Sequence, residues 1–525
     1  MAQFDTNKQV LNRNNNVLYE VQMQADQYGN IISPGATSRS AFGEPIAVPL
    51  TPVVQLDKIY GLDPKQFETY TSQSGSVFDD PRSALMQCST GTAVGGYGVI
   101  RSARAVRYRP GQGAVARFTA KFSPGVAGYT QRAGFFTQEQ ALQVGYDGEQ
   151  FGILLQNGGK AHIYSFIIVA GATVTGNITI RLNSVPTVVA VTAGDSIATV
   201  ARKIADAFAI NNDWLVEYSN NRVVFLAKSV GPKAGLFDYA DTDGTGVNAI
   251  GTTTQTGVAH TDNWIPQQSF NIDTLDGNGP STVNIDPTKL NIFQINFRWL
   301  GAGELRFAIE NPLNGDMIFF HHIHYSNQNI DVHIDNPSLK IGYVAASLGG
   351  SGTNVVVEGA SIMGGIEGVI QNTKLPVAAN ISYNPSPNLG SLTYHHALTI
   401  HNRLVYNFKI NTREVLLKNI NASFTTASTV PVTVLLFYDF SSLPDLEYAT
   451  QSEQYSSVYY STTTGTVTLG NNLPVYIIDV PGGGNSSVDL TDLRIAIPPN
   501  HNISALVYAS GAISRVALSL TWVED

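Results

Sequence analysis

The sequence predicts a mainly β protein: a β-sandwich interrupted by a small ββαββ insertion, followed by a second β-sandwich and preceded by an extended N-terminal arm. Three observations carry that expectation. Ala116, Phe118, Ala120 and Phe122 fall at every second position, with Arg117, Thr119 and Lys121 between them. That is the period of a strand with one buried and one wet face. The 48 glycines and 24 prolines suit short strands joined by tight turns. Only one stretch of the chain, after Asp195, has a convincing helical period.

Taken in order, residues 1–97 read as an arm that makes attachment and oligomer contacts. Their hydrophobic residues are scattered, and prolines at 34, 45, 49 and 52 punctuate the stretch. Ile46, Val48 and Leu50 nevertheless alternate as an edge strand would. Residues 98–165 form the first half of the sandwich, with Asp147-Gly148 turning a hairpin between Val144–Tyr146 and Phe151–Leu155. Arg101–Arg109 reads as arginines alternating on the wet face of a strand. Half a sandwich cannot bury its inner face alone, so a second half is required.

Residues 166–261 hold the inserted ββαββ module. Its helix is N-capped by Asp195, carries Ile197, Val200, Ala201, Ile204, Ala205 and Phe208 as one apolar stripe, and ends at Asn211–Asn212. A Gly- and Thr-rich link, Asp241–Thr261, leads out. Residues 262–372 supply the missing half, with strands at Ile292–Leu300, Leu305–Glu310, Met317–Tyr325, Ile330–Ile334, Leu339–Ala346 and Asn354–Gly359. Residues 373–388 read as a proline-bearing linker, and 389–525 as a second sandwich of turn-separated strands.

Several stretches also resemble a known family. YRPGQG (Tyr108–Gly113), ARFTAKF, QRAGFF, GYDGEQFGIL and GGKAHI are similar to a segment of virion structural proteins of tailed phages and some large DNA viruses. TYHHALTIHNRLVYNFKINTREVLLKNI and the closing SLTWVED resemble the C-terminal segment of the same proteins, and the module resembles small units of tail and sheath-type proteins. The resemblance implies a concanavalin-like jelly-roll sandwich in a non-enzymatic protein of the tail, fibre or baseplate region. It implies a place in the virion, assembly in the host cytoplasm, and attachment to other virion proteins through the arm. It also implies a homo-oligomer of identical subunits, by analogy with fibres a trimer. The alternatives are a lectin-like protein that binds a host-surface glycan, and a capsid-surface or vertex protein of a large DNA virus.

Composition narrows the function classes. Charged residues make up 14% of the chain and the net charge is −9, so the surface is rich in hydroxyls and amides and suits protein–protein contacts or sugars. It lacks the basic patch that nucleic acid demands. No apolar run reaches membrane-spanning length, and no membrane insertion is expected. A single cysteine, Cys88, excludes an intrachain disulfide framework.

Enzymatic motifs are missing. Gly158-Gly159-Lys160 is not a phosphate loop, no Gly-x-Ser-x-Gly elbow occurs, and no cofactor is expected. Glu304 with Glu310, or Asp331 with Asp335, are the nominal carboxylate pairs for glycoside chemistry. The best metal candidates are His322 and His324, which share one strand face, with His333 reaching across the hairpin; imidazoles so grouped suit zinc or iron. Asp238, Asp241 and Asp243 hint at calcium but lack a closing glutamate. Trp264, Tyr129, Tyr455 and Tyr459-Tyr460 are the aromatics placed to stack on sugar rings.

Overall fold

The computed structural model describes residues 7–11, 18–22, 24–25, 31–32, 49–211, 213–369, 375–383, 394–426, 430–440, 443, 445–450, 455–511 and 513–525. Contacts divide the chain into a small unit, residues 1–51 with 367–369, and a large unit holding the rest. The small unit contains two short antiparallel pairs, Asn7–Leu11 with Leu18–Gln22 and Gln24–Ala25 with Ile31–Ile32.

The large unit is mainly β and opens with a sandwich of two antiparallel sheets. One sheet, of nine strands, runs along its main path in the order Met317–Ile323, Leu305–Glu310, Asn291–Phe297, Ala114–Phe122, Val356–Gly359, Met86–Ser89, Ser76–Phe78, with Ser361–Glu367 also pairing with Ala114–Phe122. The other runs Thr261–Pro266, Gln150–Asn157, Ala141–Asp147, Tyr129–Phe136, Lys340–Ser347, Tyr97–Ser102, Phe67–Ser72. Segments before and after the module interleave within both sheets. Ala114–Phe122 pairs with Asn291–Phe297, and Tyr129–Phe136 with Lys340–Ser347. Phe118 and Phe297 lie in one core with Phe122, Phe135, Phe293 and Tyr343, and Phe118 stacks on Phe293 at 5.9 Å between ring centres.

Several boundaries differ from those the sequence suggests. Residues 52–97 are not an arm: Val54, Leu56, Phe67, Met86 and Cys88 are buried in the sandwich core. Most of the remaining arm, including Ile46 and Val48, lies outside the described residues. Strand Ala161–Ala170 crosses the expected boundary at 165/166 and is an inner strand of the module's four-stranded sheet, while Thr261–Pro266 belongs to the sandwich. The expected link after Asp241 contains a further module strand, Asn248–Gln255. Ile330–Ile334 forms no strand, and Ile330 is fully exposed. Within the expected linker, Val377–Tyr383 pairs with Val516–Trp522; residues 373–374 and 384–388 lie outside the described residues.

The module has its own core, in which Val200 and Ile204 of the helix Ile197–Ala207 and its C-cap Phe208 meet Phe166, Ile180 and Phe225. Ser196, not Asp195, caps this helix: its hydroxyl accepts from the Thr199 N–H at 3.1 Å. Asp195 instead accepts from the Thr192 N–H and pairs with Lys203 at 2.6 Å. The helix stops at Phe208, whose N–H bonds back to Ala205, rather than at Asn211–Asn212. Entry and exit of the module are clamped together, because Lys160 and Val258 exchange two backbone hydrogen bonds of 2.9 Å.

The C-terminal part is a second two-sheet sandwich. Ile513–Glu524 lies between Val377–Tyr383 and Val415–Thr426 in one sheet, while Tyr394–Asn402, Asn502–Ala509 and Val432–Tyr438 centre the other. Ile400, Val434, Val507, Leu520 and Trp522 fill its interior. Charged side chains tie it to the first sandwich. Arg104 forks onto Glu414 at 2.8 Å, and Arg109 pairs with Asp525. Glu217 of the module accepts the backbone N–H groups of Leu404 and Val405. Arg101, Arg104 and Arg109 therefore do not line a wet strand face; each holds a carboxylate in a partly buried joint, Arg101 that of Glu68.

Candidate functional site

The histidine group is split by its strand. Met317–Ile323 pairs with Leu305–Glu310 through an irregular step, setting His322 opposite Arg306 and His321 opposite Phe307. His321 turns inward, 5.7 Å from the Phe270 ring, and its Nδ1 accepts the Asn271 N–H. His322 and His324 face Glu304, with Nδ1 to Oε1 distances of 3.1 and 3.5 Å, and Arg306 donates to Oε2 at 2.6 Å. His333 is not with them: it is buried against Phe297 and Tyr325, with Nδ1 on the Gly301 carbonyl. The ligand atoms that converge are therefore those of Glu304, His322 and His324.

Two ligands of one tetrahedral zinc lie about 3.3 Å apart; the two Nδ1–Oε1 separations match that spacing, and the ligand atoms of the three residues lie within 4.8 Å of one another. Burial lowers His322 below its ordinary range, Glu304 opposing it, which favours the neutral imidazole a metal needs. Burial would raise Glu304, but the Arg306 hydrogen bond and charge hold its carboxyl low. Arg306 thus already neutralises the one anionic ligand.

The other candidates are spoken for. Asp238 pairs with Arg181, Asp241 accepts from the Thr245 and Gly246 amides, and Asp243 accepts from the Asn177 amide; three carboxylates shape one loop without converging. Glu304 is held by Arg306, and Asp331 and Asp335 are exposed. Tyr129 and Tyr459 are buried, while Tyr455 is exposed. Trp264 lies half-buried on the outer face of the seven-stranded sheet, its indole N–H without a partner.

That outer face carries a cleft that reading the sequence missed. Strand pairing sets Arg101, Gly342, Gly134 and Gln143 side by side across four strands, with Val344 and Arg132 in the next row. A Cβ on Gly342 or Gly134 would meet strand backbone, the Ile100 carbonyl in the first case and the Leu142 carbonyl at 2.5 Å in the second, so that row carries no side chain between Arg101 and Gln143. Asp213, Leu215, Lys228 and Ser229 of the module form the opposite wall, enclosing a cavity of about 520 Å³. Arg132 Nε and Gln143 Nε2 are buried with no hydrogen-bond partner, and Gln143 is only 2% exposed. The signal was present in QRAGFF and LQVGYD, whose alternation aims Ala133, Phe135, Leu142 and Val144 at the core and Arg132 and Gln143 away from it.

A second cavity of about 310 Å³ adjoins it and reaches the C-terminal sandwich. At its centre Glu68 meets Arg101 at 2.8 Å and Lys340, and Tyr70 donates to the same carboxylate, while Glu139 accepts the Ala161 N–H. Burial alone would raise Glu68, yet Lys340 and Arg101 outweigh it and hold the carboxyl down at about 2. This cavity is a joint of the fold; the cleft beside it is the one with unspent donors.

No family model matches the chain, and no curated protein matches it. Among solved structures, arcelin-5, a lectin-like defence protein from Phaseolus vulgaris, is similar over 60% of this chain and 99% of its own, with 8% identity and a TM-score of 0.23. A lectin from Bauhinia forficata in complex with GalNAc is similar over 60% and 98%, with 8% identity and a TM-score of 0.20. Likenesses this loose carry no argument about what the chain binds.

Proposed function

We propose that the chain is a non-enzymatic structural protein of a virus particle, in the tail, fibre or baseplate region. In this reading it assembles with copies of itself and with other virion proteins, and contributes to host attachment. The supporting observation is where the two stretches that resemble virion proteins meet. Arg109 of the YRPGQG segment pairs with Asp525 of SLTWVED, and Arg104 just before it pairs with Glu414 of the TYHH…KNI segment. Stretches some hundreds of residues apart in sequence thus belong to one joined body, which supports reading the two resemblances together. A surface with few charges also loses little when desolvated against another subunit.

The test is to image intact particles carrying the tagged chain, with light scattering of the purified protein to count subunits. Density at the tail supports the reading. Density on the capsid transfers the protein to the vertex or capsid surface, and absence from particles removes the virion role. A second reading, a lectin-like glycan binder, is favoured by the cleft with its unpartnered donors and is compatible with attachment.

A further inference from the structure

We propose that the cleft between the outer face of the seven-stranded sheet and the module is a binding site for a carboxylate-bearing sugar, a hexuronic or sialic acid residue. The inference rests on the attachment reading above and names its ligand. Charge comes first. The lining carries Arg101, Arg132 and Lys228 against Asp213, in a chain of net charge −9. Arg101 is matched by Glu68, and Lys228 donates to the Asn211 carbonyl. Arg132 has no ion pair with any described residue, and its Nε is buried without an acceptor. Burial lowers Arg132, against the attraction of Asp262 and Asp147, but a guanidinium stays charged at neutral pH. A half-buried guanidinium whose Nε has no acceptor is costly unless something anionic meets it, and its planar fork matches a carboxylate.

The rest of the lining selects a sugar over a bare anion. Gln143 Nε2, buried and unpartnered, is a neutral donor suited to a hydroxyl or ring oxygen. Val99, Phe136, Ala141, Leu215 and Val344 give apolar walls for the C–H faces of a pyranose. The cavity of about 520 Å³ holds a mono- or disaccharide, whereas an inorganic anion would occupy only a fraction of it.

The experiment uses the full chain on an array of neutral, carboxylated and sulfated glycans, followed by calorimetric titration with glucuronate, N-acetylneuraminate and glucose, each with and without excess inorganic sulfate. Expected are binding of carboxylated sugars, no binding of glucose, and a loss of about tenfold or more in affinity for Arg132→Gln with its melting temperature unlowered. Gln143→Glu, which adds a carboxylate to the cleft, serves as a second variant and is expected to abolish binding. Equal binding of neutral sugars overturns the acidic ligand while keeping a glycan-attachment role. Displacement by sulfate overturns the sugar, and unaltered binding by both variants overturns the location. Binding of no glycan overturns the inference, and particle imaging then judges the virion role by itself.

Discussion

Replacing Glu68 by Gln leaves Arg101 and Lys340 facing each other in the joint without their shared anion. Each of the three side chains is only 15% exposed, so the loss is expected at about 3 kcal/mol, read from denaturant midpoints. The pH dependence has a defined sign. The Glu68 carboxyl is lowered from 4.5 to about 2, so its stabilisation is complete above pH 4.5 and fades as pH falls towards 2, a loss that Glu68→Gln does not show. His396 acts at higher pH. Its Nδ1–H donates to the Thr463 carbonyl, its Nε2 accepts from Thr399, and burial lowers it from 6.5 to about 4. The unfolded chain takes up that proton first, so stability is complete above pH 6.5 and declines towards pH 4; His396→Gln is expected to flatten that slope in pH-resolved melts. At this scale the sequence was legible where one strand sufficed: His322 and His324 share a face because they are two residues apart. The neighbours of Glu304 and Arg132 were not legible: an irregular hairpin register brings Glu304 to the histidines, and although alternation aims Arg132 outward, the wall it faces comes from the remote module.

The module is the element with the clearest separability. Its own core and its clamped ends mean that replacing residues 161–257 by a short Gly-Ser link is expected to leave a sandwich that melts cooperatively, since closure entropy grows slowly with loop length. The same excision removes one wall of the cleft and the Glu217 carboxylate that caps Leu404 and Val405. Within the module, Ser196→Ala is expected to cost about 1 kcal/mol, measured by chemical denaturation. The helix was readable from its stripe, since Val200, Ala201 and Ile204 are all buried. The strands between 50 and 97 were not, because runs such as Ser76–Phe78 and Met86–Ser89 are shorter than any reliable period. The cap lies one residue beyond the expected one: the Ser196 hydroxyl takes the Thr199 N–H, while Asp195 pairs with Lys203.

The whole large unit depends on whether its two sandwiches unfold together. Glu414, Glu524 and Asp525 are all under 10% exposed, and arginines of the first sandwich reach two of them. Arg104→Met with Arg109→Met is therefore expected to split a single calorimetric transition into two, by stranding buried carboxylates at the joint. That joint was invisible in sequence, because nothing local distinguishes an arginine on a wet strand from one that crosses to another sheet. Cys88 carries a practical corollary. It has no exposed surface, and burial pushes its thiol up to about 12, so at neutral pH it presents neither access nor thiolate to a maleimide. The folded protein is therefore blank to thiol reagents, and Ile210→Cys, on a fully exposed turn, becomes a sole covalent handle for a dye or gold cluster.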